Sequence, residues 1–189
     1  LLEMKFAQDA DSKRMLRAIA KAAVQAGNLA HQMLAFAQGG KYAPTLINLN
    51  QIIEEVLRLE KHTFPKNVRM DRVFARDLWH MMADPAQISQ VILNLSLNAM
   101  EAMPDGGEIR FTTENCLLEQ SPPDANLQPG RYVRLRVQDT GHGMTDEVRA
   151  RVFEPFFTTR FQGRGLGLAA VYGIVQSHHG YIRVSSRPG

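Results

Sequence analysis

Asn94-Leu-Ser-Leu-Asn98-Ala99 lies in an apolar-periodic run between Asp84-Pro85 and Met103, and its two amides decide how the rest of the chain reads. Asp before Pro is a helix start: the carboxylate caps the first free N–H groups and the proline fits the first turn. A helix from Pro85 to about Met103 is therefore expected. Four residues apart, Asn94 and Asn98 share one face of it, while Val91, Ile92, Leu95 and Ala99 supply the apolar remainder. Amides beside a packed stripe need polar partners. Either they bond backbone at the core's edge, or they offer carboxamide oxygens, neutral hard ligands that suit Mg2+ when phosphate oxygens supply the charge.

Three further runs follow in order. Asp139-Thr-Gly-His-Gly143 closes an alternating stretch, Tyr132–Val137, that reads as a strand, and its glycines permit a tight turn beside a ligand. An ionised Asp only accepts hydrogen bonds, which suits the amino group of adenine and opposes the carbonyl oxygen that guanine presents there. Polar mismatches of this kind can reach factors of about 10⁴. His142 reads as a loop residue. In Phe153-Glu-Pro-Phe-Phe157, the aromatics Phe153, Phe156 and Phe157 are expected to plug the following segment against the core. Gly163-Arg-Gly-Leu-Gly-Leu168 opens an apolar helix from Leu166 to His178, whose N-terminal amides form an anion site. Arg160 and Arg164 add guanidinium forks for phosphate oxygens, and residues 158–162 are the candidate lid over them. A dinucleotide fingerprint does not fit, because no strand ends just before the glycines and too little chain follows for a ribose-binding acid; the Lys-Ser/Thr ending of a P-loop is missing too.

At 189 residues and 44% hydrophobic, the chain can bury a real core. It reads as one compact domain of about 140 residues behind an N-terminal helical extension. The net charge of +3 comes from scattered Lys and Arg, which argues for a solvated surface and not for nucleic acid. Cys116 stands alone, excluding an internal disulfide and suiting a reducing, cytoplasmic compartment. No apolar run approaches the roughly 20 residues that span a bilayer, so no membrane contact by this stretch is expected, although a longer parent could be anchored elsewhere. From Asp11 to Gln38, Leu16, Ile19, Ala23, Ala26, Ala30, Met33 and Ala37 form a heptad seam, widened by Met15, Ala22, Leu29 and Phe36. The plain reading is a core helix; the sharper one is an arm of a helical hairpin that dimerises into a four-helix bundle. The boundary falls between residues 1–43 and 44–189. Thr45–Leu49 reads as a short strand, Asn50 as the cap of a helix to about Lys61, and Val68–Phe74 with Leu78–Met82 as a hairpin. Glu108–Leu118 and Tyr181–Ser185 are further strands, and Thr145 caps a short helix to about Val152. Helices and strands in separate runs predict an α+β fold, a two-layer α/β sandwich with one sheet covered by helices.

Taken in order, the four runs resemble the N, G1, F and G2 boxes of the sensor histidine kinases, within the superfamily of gyrase, Hsp90 and MutL ATPases. The likeness runs from about Thr45 to the C-terminus. Leu34-Ala-Phe-Ala, followed by Pro44 and Leu49-Asn50, is similar to the second helix of that family's dimerisation and phosphotransfer hairpin and its junction, in the style of hybrid two-component kinases. The resemblance implies the Bergerat ATP-binding fold preceded by a long dimerisation helix, with ATP and Mg2+ as cofactors. By that similarity Asn98 would coordinate Mg2+, Asn94 would support it, and Arg160 would join them at the phosphates. Asp139 would bind adenine in a loop shaped by Gly141 and Gly143, with Met144, Phe157, Thr158 and Thr159 bordering the pocket. Gly163, Arg164, Gly165, Leu166, Gly167 and Leu168 would line the triphosphate. The γ-phosphoryl group would pass to a histidine and then to an aspartate on a response-regulator receiver domain, chemistry that rests on positioning and charge neutralisation. The partners implied are that receiver and a second copy of the chain, held through the N-terminal helix.

The chain departs from the family pattern in places. The family's phosphoacceptor is a His followed by an acidic residue and then Asn or Thr, on the first hairpin helix. None of His31, His62, His80, His142, His178 and His179 has that context, so the acceptor is expected upstream of Leu1 and the chain alone is not expected to autophosphorylate. Residues 158–163 are short for a lid, Arg160 stands where Lys is common, and the chain stops at Gly189 before the family's closing strand. Among rivals, a superfamily ATPase or chaperone typically places a water-activating glutamate on the first helix, whereas Gln90 stands one turn before Asn94 here and cannot act as a base. The helix seam speaks against a serine kinase of the anti-sigma type. A catalytically silent, nucleotide-sensing dimerisation module is the alternative from another class.

Overall fold

A computed structural model describes Met15 and residues 43–59, 64–65, 67–121, 127–159 and 165–189. The chain divides into two units, Leu1–Tyr42 and Ala43–Gly189. The heptad seam expected over residues 11–38 lies outside the described residues, apart from Met15, which is helical and exposed. The second unit runs β1 (Thr45–Ile47), α1 (Leu49–Leu59), β2 (Val68–Phe74), β3 (Met81–Ala83), α2 (Pro85–Glu101), β4 (Gly107–Leu118), β5 (Gly130–Asp139), α3 (Asp146–Arg151) and α4 (Gly167–Ser177).

One sheet has the order β2-β4-β5, with β2 parallel and β5 antiparallel to β4. Its pleat sorts side chains by face. Ile109 and Phe111 are fully buried, and Phe111 and Thr113 stand opposite Val137 and Leu135 on β5. Against this face pack α1 and α2, each contributing a fully buried isoleucine, Ile53 and Ile92. The opposite face is laced with ions: Arg110 Nε lies 2.7 Å from Asp71, its second arm 2.8 Å from Glu108, and Arg134 lies 3.1 Å from Glu114. These half-exposed pairs mark the solvent side and add little stability. The result is helices on one face of a mixed sheet, an α+β sandwich, as the order of elements predicted.

The helix starts follow their caps. Asp84 Oδ1 accepts from the N–H groups of Ala86 (2.9 Å) and Gln87 (3.2 Å), and Thr145 Oγ1 accepts from Val148 N at 3.4 Å to start α3. Three expectations need correction. Val68–Phe74 and Leu78–Met82 do not form a hairpin: β2 takes β4 as its parallel partner, while β3 pairs with β1. Side chains of β4 steer the chain between the two sheets, since Trp79 N donates to Asn115 Oδ1 (2.8 Å) and Asn115 Nδ2 donates to Asp77 O (2.8 Å). Asn50 is not the cap of α1 either. Asn48 stands before the helix and its Oδ1 accepts from Asn50 N at 3.0 Å. Asn50 turns inward, donating to Ala75 O (2.9 Å) and accepting from the Thr113 hydroxyl (2.7 Å), a satisfied polar knot within the core. Finally, residues 181–189 carry no strand. Burial alternates through Ile182 and Val184 as a strand's would, but no ladder among the described residues reaches them, and a strand needs a bonded neighbour as well as a period.

Candidate functional site

The site grows from α2. Asn94 is buried there and its Nδ2 donates to Gly167 O across to α4 at 3.3 Å. Asn98 Nδ2 donates to Asn94 O at 2.8 Å. That bond engages the amide's NH2, and among the described residues no donor reaches Asn98 Oδ1. A Cβ placed on Gly167 would sit 3.4 Å from Asn98 Nδ2, so both amides lie against the start of α4. Leu166 stands at the N-cap of that helix without a side-chain hydrogen bond, and the first backbone bond inward is Ala170 N to Leu166 O at 2.9 Å. The N–H groups of Gly167, Leu168 and Ala169 therefore precede the first intrahelical bond, an anion-binding arrangement beside a carboxamide oxygen.

One turn beyond Asn98, the C-cap of α2 meets the loop after β5. His142 N donates to Ala102 O at 3.1 Å. A Cβ on Gly141 would lie 2.6 Å from Ala102 Cβ, so only glycine lets the loop approach the helix. Asp139 ends β5, exposed, with Oδ1 accepting from Gly141 N at 2.9 Å. No other hydrogen bond of the Asp139 carboxylate occurs among the described residues, which leaves its second oxygen without a partner among them. Gly143 has φ +67°, and a Cβ there would strike the Arg187 carbonyl. Met144 N donates to Ser186 Oγ at 2.9 Å and Gly189 N to His142 O at 3.1 Å, which backs the loop from behind. Thr140, beside the acid, holds Glu108 N at 3.0 Å and approaches Met103 Sδ at 3.4 Å. The sequence reading did not assign Thr140; a hydroxyl wedged between Asp and Gly at a strand end was the available signal.

The aromatic run folds back on the glycine run. Phe156 N donates to Gly165 O at 2.9 Å, and Gly165, at φ +63°, packs so tightly on the Phe156–Phe157 peptide that a Cβ would overlap it. The expected aromatic plug forms only in part. Phe153 meets Tyr172 of α4 with ring centroids 5.4 Å apart, and Arg151 covers the Phe157 ring at 4.3 Å. Phe156 instead points outward, 70% exposed, because its own backbone adopts φ +66°. Thr158 and Thr159 follow, exposed. Arg160, Gly163 and Arg164, with most of the expected lid, lie outside the described residues. The structure thus brings Asn94, Asn98, Gly165, Leu166, Gly167 and Leu168 together beside the C-terminal half of α2, and sets Asp139, Gly141, Gly143 and Met144 on the loop that meets its C-cap, Ala102.

The pattern that defines the family of histidine kinase-, DNA gyrase B- and HSP90-like ATPases matches residues 83–189. The sensor kinase CckA of Brucella abortus (strain 2308) is 36% identical over 169 residues, which is 87% of this chain and 18% of that protein. Full-length ShkA, solved in complex with AMPPNP, is 25% identical with a TM-score of 0.66, over 89% of this chain and 34% of that one. Histidine kinase ThkA, solved in complex with the response regulator protein TrrA, is 26% identical with a TM-score of 0.67, over 94% of this chain and 49% of that one. The chain therefore spans half or less of the length of these relatives. Matching motifs, fold and relatives lead to one assignment: the chain belongs to the histidine kinase-, DNA gyrase B- and HSP90-like ATPase family, on its sensor histidine kinase branch.

Proposed function

We propose that the chain binds ATP with Mg2+ and serves as the catalytic region of a sensor histidine kinase, presenting the γ-phosphoryl group to a histidine that then hands it to an aspartate of a response-regulator receiver domain. The observation that carries this reading is the meeting of the Asn94 and Asn98 amides with the uncapped start of α4. Asn98 Oδ1, which no donor among the described residues reaches, is a neutral oxygen of the kind Mg2+ takes beside phosphates, and Asn94 ties its helix to Gly167. Bound there, the metal would neutralise charge on the phosphoryl oxygens. The α4 amides would hold the phosphate chain, flanked by Arg160, Gly163 and Arg164. Asp139, with one oxygen spent on Gly141, would offer the other to the adenine amino group. The nucleotide complex of ShkA and the regulator complex of ThkA fit this reading. A second copy, held through the N-terminal helix, and a receiver domain are the partners it calls for, in the cytoplasm.

Titration of the chain with ATP and GTP, with and without Mg2+, tests it. Binding of ATP that depends on Mg2+ and exceeds binding of GTP at least about tenfold is expected. Equal affinity for the two nucleotides would sink the adenine assignment, and no effect of Mg2+ would sink the metal assignment.

A further inference from the structure

Resting on that nucleotide reading, we propose that His178 is a positioning residue: it sets the lengthwise register of α4 against α2, and with it the gap between the phosphate-binding amides and Asn98. His178 stands at the C-cap of α4. Its Nδ1 lies 2.8 Å from Ile174 O, and a carbonyl only accepts, so Nδ1 carries the ring proton and donates. Nε2 is then the acceptor, and it takes Asp84 N, the backbone N–H of the residue that caps α2, at 3.0 Å. At the far end of the same helix pair, Asn94 Nδ2 donates to Gly167 O at 3.3 Å.

The two ties match in length. Asp84 to Asn94 is about 15 Å of helix, and Gly167 to His178 is about 16 Å. Between them the two helices pack together, with Val171 fully buried on α4 and Val91 buried on α2. Two helices pinned at both ends of one contact cannot slide past each other without losing a bond. Release of the His178 end frees α4 to shift along α2, and the shift appears where Gly167 meets Asn98. Asp84 is 8% exposed and its carboxylate already receives N–H groups from Ala43, Ala86 and Gln87. Its own N–H therefore has little access to water as a substitute for His178.

Two variants of equal polarity but different reach separate positioning from plain stability. His178→Asn keeps an amide near the Nδ1 position and falls short of Asp84; His178→Gln extends a carboxamide oxygen to the place of Nε2. Affinity for Mg2+-bound ATP and for adenosine is measured on each, beside the melting temperature without ligand. H178N is expected to weaken ATP about tenfold, equivalent to ~1.4 kcal/mol, with adenosine changed less than about twofold; H178Q returns ATP to within about threefold of the parent chain. H178F carries the loss arm if H178N does not fold. The proposal is overturned if the loss variant binds ATP like the parent, if ATP and adenosine weaken in equal proportion, or if H178Q is as weak as H178N. A parent chain that binds neither ligand overturns the nucleotide reading itself.

Discussion

Asp139→Asn tests the recognition of adenine with almost no change of shape. Asp139 has two oxygens, and Oδ1 accepts from Gly141 N at 2.9 Å. In the asparagine variant only one atom can accept, so the Gly141 N–H keeps it and the NH2 group takes the place of the free oxygen. A donor then faces the donor on adenine. A charge-assisted bond is lost and a donor is left unpaired, together worth about 1.5–3 kcal/mol in a dry site. Asp139 lies exposed at the end of β5, where water can relieve part of that cost. The lower half of the range applies, about 1.5–2 kcal/mol, or roughly 10–30-fold weaker ATP. The carbonyl oxygen of guanine meets the same NH2 favourably, so GTP should gain as ATP loses. Displacement of a fluorescent nucleotide at fixed Mg2+ reads both affinities. The retained Gly141 bond predicts a melting temperature within about 2 °C of the parent. If D139N holds ATP within about threefold at unchanged stability, or GTP weakens in step with ATP, Asp139 does not read the base.

Three further outcomes follow from particular contacts. Asn98→Ala should lower affinity for Mg2+-bound ATP at least about tenfold and abolish its dependence on Mg2+, while circular dichroism stays unchanged; a retained dependence would clear Asn98. Asp84→Ala removes the cap of α2 and the acceptor for Ala43 N, which should cost about 1–2 kcal/mol and lower the melting temperature by about 3–8 °C in thermal denaturation. The hydrogen bond from Arg110 holds the Asp71 carboxyl below the usual carboxylate range, so Asp71 adds stability above that range and loses it as pH falls through the lowered value. Asp71→Asn should therefore flatten the acid side of a plot of melting temperature against pH, between about pH 5 and pH 2, by a small amount because the pair sits at the surface.

What the sequence revealed of the fold is what is decided locally. Asp84-Pro85 names the start of α2 because cap and proline act within one turn. The alternation through Tyr132–Val137 names β5 and its end at Asp139, although the strand begins earlier, at Gly130. Partners are another matter. β2 and Leu78–Met82 are adjacent in sequence and end in different sheets, because β4, more than thirty residues on, offers β2 a parallel edge. Asn50 carries every mark of a cap, and only the approach of Ala75 and Thr113 from other elements gives its amide a better use. Phe156 counted as core by composition, and its positive φ, invisible in a residue type that rarely adopts it, sends the ring outward.

The motifs of the candidate site stand out in the sequence more than the fold around them, and the physical reason lies in how they touch. Each motif meets another through backbone, at a spacing a side chain would spoil. Gly141 lies on Ala102, Gly165 on the Phe156–Phe157 peptide, and Gly167 against the Asn98 amide, with Asn94 bonded to the Gly167 carbonyl. Contacts of that kind admit few residue types, so the residues advertise them. All but one run through α2, where Asn98 and Ala102 stand four residues, about 6 Å, apart along the axis. One rigid helix thus fixes the distance between the loop proposed to bind the base and the helix start proposed to bind phosphate, and the Phe156–Gly165 bond ties the aromatic run to the residue before the cap of α4. The tie that locks α4 to this ruler, Asp84 to His178, uses a backbone N–H and an ordinary histidine. Neither residue advertises the bond, because its specificity resides in the register of two helices and not in the residue types that make it.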